Sequence, residues 1–178
     1  YFENEEIKGI DKESFEVVDS PYSKDKNYMY YRTERVDNVD IESFEIIEDS
    51  RFYDNDYYKD KNHVFFRGKS LDEVNPNEFK RLGKYTYFYS DGAHLYYSGN
   101  KMDHIDYKTF VIYDGISYCK DKNHVYYKDR ILEDADPDTF IVLDGYCSKD
   151  KNFVYCGLKK IDGVDIDTFK MVDYRIGE

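Results

Sequence analysis

The sequence predicts an all-β protein, a tandem array of antiparallel three-stranded meanders of about 30 residues, each with one helical turn. Two recurring phrases and an aromatic composition carry this reading. The phrase Asp/Asn-x-x-x-Phe places Phe15, Phe44, Phe79, Phe110, Phe140 and Phe169 in register, at separations of 29, 35, 31, 30 and 29 residues. The phrase Asp-Lys-Asn begins at Asp25, Asp60, Asp121 and Asp150, and its third copy reads Asp91-Gly92-Ala93. Mean hydropathy is −0.85 and net charge −12, a balance that leans toward disorder, but 21 Tyr and 12 Phe supply the apolar surface that disordered chains lack.

Each element of the unit follows from local chemistry. Asp136 before Pro137 and Asn75 before Pro76 set an N-cap residue ahead of a proline in the first helical position, so "DPDTF" and "NPNEF" read as one helical turn closed by Phe against the core. A short apolar stretch follows ("FEVV", "FEII", "FIVL"), then a loop of variable length and an aromatic strand. Asp and Asn bond their own backbone, so DKN reads as a tight reversal. "HVYY" and its relatives form the outgoing strand, and a polar turn leads to a third strand such as "RIL" or "KKI". The repeats fall around residues 16–44, 45–79, 80–110, 111–140 and 141–178 of one tandem-repeat domain, and residues 1–15, opening on Tyr1-Phe2, read as the tail of a truncated copy. A closed propeller is the alternative architecture, although its blades ordinarily need about forty residues and four strands.

Charge and segment composition narrow the partners. With 26 basic against 38 acidic residues the surface repels a phosphate backbone, so nucleic acid is not expected. No apolar run approaches the roughly eighteen residues of a membrane span, and "YFENEEIKGID" has neither the basic start nor the apolar centre of a signal peptide.

"DKNYMYY", "DKNHVFF", "DKNHVYY" and "DKNFVYC", each at a fixed distance from Asp-x-x-Ser/Thr-Phe, resemble the wording of the DKNYY family of bacterial repeat proteins. The resemblance covers essentially the whole chain; it departs at Asp91-Gly92-Ala93 and at Cys156, where the last Tyr of the fifth copy would stand. It implies a repeat protein of unknown function and brings no catalytic residues.

Candidate chemistry is sparse. His63, His94 and His124 share one repeat position, but Tyr28 and Phe153 fill it elsewhere, so the position takes any flat ring and no metal is assigned. Asp54, Asp56 and Asp60 lack the glycine and closing glutamate of a calcium loop. No Ser-His-Asp order, phosphate loop or HExxH helix is present, so neither a catalytic residue nor a cofactor is expected. Tyr22, Tyr57, Phe88 and Tyr118 before the reversal, with Tyr31, Phe66, Tyr97 and Tyr127 after it, are read as core. Tyr30, Phe65, Tyr96, Tyr126 and Tyr155 alternate with them, either packing on the next unit, the favoured reading, or facing solvent as a ladder for a sugar or protein.

These features point to a non-catalytic binding or scaffold module, with a protein partner favoured and a carbohydrate-binding module of the cell envelope as the alternative. An exported or envelope location is slightly favoured. The segment from Glu48 to Asp56, with Arg51, Phe52 and Tyr53, lengthens one repeat and is the candidate partner-binding loop. Cys147 and Cys156 replace the aromatics on either side of one reversal. A two-residue loop at Lys151-Asn152 sets them opposite each other at a non-hydrogen-bonded site, close enough for a disulfide, whereas a three-residue loop would slip the pairing by one. Cys119 is expected to be a lone thiol on the opposite face.

Overall fold

The protein is described by a computed structural model that covers residues 6–47, 57–83, 86–113, 117–144 and 146–171. Those residues form five four-stranded antiparallel sheets, one per repeat, with strands in chain order and no α-helix. The first sheet is β1 (Glu16–Asp19), β2 (Tyr22–Lys24), β3 (Met29–Tyr31) and β4 (Glu34–Val36). The second is β5 (Glu45–Ile46), β6 (Tyr57–Lys59), β7 (Val64–Phe66) and β8 (Lys69–Leu71). The third is β9 (Lys80–Arg81), β10 (Phe88–Ser90), β11 (Leu95–Tyr97) and β12 (Asn100–Lys101). The fourth is β13 (Val111–Ile112), β14 (Tyr118–Lys120), β15 (Val125–Tyr127) and β16 (Arg130–Ile131), and the fifth β17 (Ile141–Val142), β18 (Cys147–Lys149), β19 (Val154–Cys156) and β20 (Lys159–Ile161).

The three expected strands of the meander are present, and the apolar stretch after each Phe adds a fourth at the sheet edge: Glu16 pairs with Lys24, Glu45 with Lys59, Val111 with Lys120 and Ile141 with Lys149. Backbone hydrogen bonding explains the addition, since an extended segment beside an unpaired strand satisfies its amides by joining the ladder. The helical turn is one turn of 3₁₀ helix at Ile41–Ser43 and at Tyr107–Thr109, capped by Asp40 and Asp106; at "NPNEF" and "DPDTF", where a helical turn is also expected, the chain makes a hydrogen-bonded turn, closed by the Glu78 amide on the Asn75 carbonyl and the Thr139 amide on the Asp136 carbonyl. None of the sheets closes into a barrel.

The described chain divides into two compact units, one comprising Tyr1–Leu82 with Tyr89–Asn100, the other Gly83–Phe88 with Lys101–Glu178. Within each unit the core lies between successive repeats. In the first, Tyr22, Met29 and Val36 of one repeat pack with Tyr58 and Phe65 of the next, and Ile47, Tyr57, Val64 and Val74 pack with Phe79, Tyr89 and Tyr96. In the second, Tyr118, Val125 and Leu132 meet Phe140 and Tyr155. The Phe closing each of these turns is the wedge: Phe44 lies 5.3 Å from Tyr22, Phe79 5.3 Å from Tyr57 and Phe140 5.5 Å from Tyr118. A single repeat could not bury this surface alone.

Burial separates the two aromatic files differently from their order of importance in the sequence. Tyr30, Phe65, Tyr96, Tyr126 and Tyr155 are all at most 2% exposed, so this file packs and offers solvent no stacking ladder. Tyr22, Tyr57, Phe88 and Tyr118 are buried too, whereas Tyr31, Phe66, Tyr97 and Tyr127 are only half-buried at the margin, because they end the strand beside an open turn.

Candidate functional site

The polar signature of the repeat assembles at the reversal between the second and third strands. Asp25 donates its amide to the Tyr28 carbonyl, leaving Lys26-Asn27 as a two-residue loop, and Asp60, Asp121 and Asp150 do the same. The carboxylate is nearly enclosed. In the first repeat Oδ1 accepts the amides of Asn27 (2.7 Å) and Tyr28 (2.8 Å), while Oδ2 accepts the Tyr30 hydroxyl (2.8 Å) and the amide of Asp11 (2.9 Å). Asp121 repeats this with Asn123, His124, Tyr126 and Asp106, and Asp150 with Asn152, Phe153, Tyr155 and Asp136. One carboxylate thus ties the reversal to the buried tyrosine and to the N-cap of the helical turn. Burial pushes the Asp25 carboxyl up, but the amides of Asp11 and Asn27, the Tyr30 hydroxyl and the Tyr28 amide outweigh it and hold the group down at about 2. Asp91 and Asp121 are lowered by the same contest. Burial, with the carboxylate as hydrogen-bond partner, raises Tyr30 to about 12.

The other motif residues brace the corner from outside. The N-cap Asp11, Asp40, Asp106 and Asp136 pair with Lys26 (2.5 Å), Lys61 (2.5 Å), Lys122 (2.9 Å) and Lys151 (2.6 Å). Ser14, Ser43, Thr109 and Thr139 accept the amides of the same four lysines. The two phrases of the sequence are therefore two halves of one joint. The corner at Asp91 is an internal control: Lys becomes Gly92, the Asp cap becomes Asn75 and the Ser/Thr becomes Glu78, so all three partners change together. There the Gly92 amide turns to Ser90 Oγ (2.9 Å), and Asp91 Oδ2 takes the Tyr96 hydroxyl (2.8 Å) and His94 Nδ1 (3.2 Å). Sequence reading named each phrase but missed the bond between them; the joint decay in the third copy was the available signal.

Beyond the corner stands one ring per repeat, Tyr28, His63, His94, His124 and Phe153, each half-buried or exposed. His63, His124 and Phe153 meet Phe65, Tyr126 and Tyr155 edge-on at 6.0–6.2 Å, and Arg35 and Lys160 lie over the rings of Tyr28 (3.5 Å) and Phe153 (4.2 Å). Among the described residues no three His, Cys, Asp or Glu side chains are grouped to hold a metal, and each histidine belongs to a separate repeat. Val111 and Ile141, about half exposed, occupy the edge-strand position that holds Glu16 and Glu45 in the first two repeats. Arg51, Phe52 and Tyr53 lie outside the described residues, as does the calcium-like Asp54 and Asp56.

Cys147 stands directly opposite Cys156, alpha carbons 4.1 Å apart, with the sulfurs bonded. Cys119 is a buried free thiol, and desolvation pushes its titration up. Among the described residues no helix is long and apolar enough to cross a membrane.

No curated protein and no solved structure matches this chain. The family model described as "DKNYY family" matches residues 1–130 and 125–177. With the phrase recurring in four of the five repeats and its residues joined there into one structural corner, the chain belongs to the DKNYY family.

Proposed function

We propose that this protein is a non-catalytic binding module whose repeated frame presents a variable surface to a protein partner. The observation that carries the proposal is the occupation of the recurring polar groups: the DKN aspartate is filled with donors, its lysine is paired to the helical-turn cap, and the Ser/Thr receives an amide. Groups held this way are structural, and what varies over them is the outward edge-strand position, running from Glu16 and Glu45 through Lys80 to Val111 and Ile141, together with the ring at each reversal. Variation on a constant frame is how repeat arrays encode recognition. The acidic balance argues against nucleic acid. A disulfide between Cys147 and Cys156 favours an exported or envelope location. There the second reading, glycan binding, rests on the exposed rings.

The test places a photo-crosslinking residue at 111 or 141 and, in parallel, applies the chain to a glycan array. The protein reading expects a discrete crosslinked species from the residue at 111 that Ile141→Glu abolishes, or from the residue at 141 that Val111→Glu abolishes, and no glycan signal. A glycan signal lost on Phe153→Ala, without a crosslinked species, would replace it with the second reading.

A further inference from the structure

We propose that the Cys147–Cys156 pair is a reversible redox site, opened by thiol–disulfide exchange with a dithiol, and that its opening loosens the fifth repeat as far as its seam with the fourth. In the first, second and fourth repeats the two equivalent positions hold rings in contact: Tyr22 with Tyr31 (5.0 Å), Tyr57 with Phe66 (4.8 Å) and Tyr118 with Tyr127 (5.0 Å). The fifth repeat alone exchanges that ring contact for a covalent bond between β18 and β19. Its strand pairing therefore depends on an oxidation state in a way that no other repeat's does.

The surroundings suit exchange. Cys147 is 3% exposed, whereas Cys156 is only partly buried at the end of β19, so an external thiolate reaches the Cys156 sulfur first. Lys159 stands opposite Cys156 on β20, the register position from which side chains on one face of a sheet meet. In the first step the dithiol's thiolate attacks Cys156 Sγ, the sulfur–sulfur bond breaks, and Cys147 leaves as a thiolate and takes a proton. In the second, the dithiol's other thiolate attacks its own sulfur in the mixed disulfide and expels Cys156 as a thiolate, which the Lys159 ammonium stabilises until it takes the second proton. Two electrons and two protons pass to the protein, and the dithiol leaves as its disulfide; a small-molecule disulfide reverses the sequence.

The reduced state loses the link that holds β18 to β19, and these strands carry Ser148 and Tyr155, the latter packed with Tyr118 and Phe140 in the core of that unit. Tyr118 also donates its hydroxyl to the carbonyl of Tyr146 (2.6 Å), beside Cys147. Opening at the pair thus reaches the seam with the fourth repeat.

The experiment uses the full chain purified in air. Alkylation in denaturant without reductant should add one label, at Cys119, and prior dithiothreitol should raise this to three; three labels without reductant would overturn the proposal. Amide hydrogen exchange should then quicken about tenfold or more across residues 146–157 on reduction, stay unchanged across 57–71, and recover with oxidised glutathione. Unchanged exchange in the fifth repeat, or an equal rise in the second, would overturn it. Restoring the rings with Cys147→Tyr and Cys156→Tyr should leave exchange indifferent to dithiothreitol, and a persistent response would place the effect elsewhere. Lys159→Gln should slow reduction about threefold or more, and an unchanged rate would remove the lysine from the second step.

Discussion

Replacing Asp121 by Asn keeps the side chain's shape but turns one acceptor into a donor, in a place where Asn123, His124, Tyr126 and Asp106 all donate. Two donors would then face each other in a buried corner, so the substitution should cost about 2–3 kcal/mol, read as a lowered midpoint in urea. Lys122 belongs to the same motif, yet its ammonium is exposed and its ion pair with Asp106 lies at the surface. Lys122→Met should change stability by less than about 1 kcal/mol, and the third repeat, which has Gly92 at this position, already keeps the fold without it. The corner also sets the response to pH. Asp25 is lowered to about 2 from an ordinary value near 4, so its contribution is complete above about pH 4 and is lost as pH falls toward 2. Tyr30 is raised to about 12, so its contribution holds below about pH 10 and fades as pH rises through 12. Chemical denaturation at a series of pH values should show both shoulders, and Asp25→Asn should flatten the acid one.

At the scale of the element, the turn between third and fourth strands decides how closely repeats approach. Gly68 and Gly99 sit at φ of 77° and 79°, and a Cβ on Gly68 would lie 2.6 Å from Tyr31 Cβ of the preceding repeat, while one on Gly99 would strike the Phe66 ring. Their amides meet the preceding repeat as well, donating to Tyr22 (2.8 Å) and Tyr57 (2.6 Å). Gly68→Ala should therefore destabilise by about 2–4 kcal/mol, combining left-handed strain with a steric clash at the seam. Gly163 has a similar φ of 73° with open space around it, so Gly163→Ala should cost only about 1 kcal/mol, both variants being compared by thermal melts. The difference between the two isolates the contact from the backbone conformation.

For the whole molecule, the core between repeats predicts how the chain comes apart. Deleting residues 145–178 removes Tyr155 from the cluster of Tyr118, Val125, Leu132 and Phe140, while every residue of the first unit's cores remains. The truncated protein should keep its β circular dichroism and retain slow amide exchange at 57–66, with the fourth repeat exchanging fast. Loss of all β signal in a single step would show instead a cooperative body that cannot be shortened.

The sequence by itself determined the repeat, its reversal and its wedge, because each rests on short-range spacing: a cap three residues before its turn ends, an Asp two residues before the amide it accepts; it left two loop lengths open at Lys151-Asn152, and the structure chose the two-residue loop that sets Cys147 opposite Cys156. The tertiary structure alone decided three things. It made the apolar stretch after each Phe a fourth strand, which depends on a partner strand beyond a loop of varying length. It put Tyr30 and its equivalents in the core and left Tyr31 and its equivalents half-buried, because alternation assigns residues to two faces without saying which face a neighbouring repeat will cover. And it joined Asp25 to Asp11 and Asp121 to Asp106, where the donor is a backbone amide that any residue supplies, so that the sequence marks the joint only indirectly, by its combined decay at Asn75, Glu78 and Gly92.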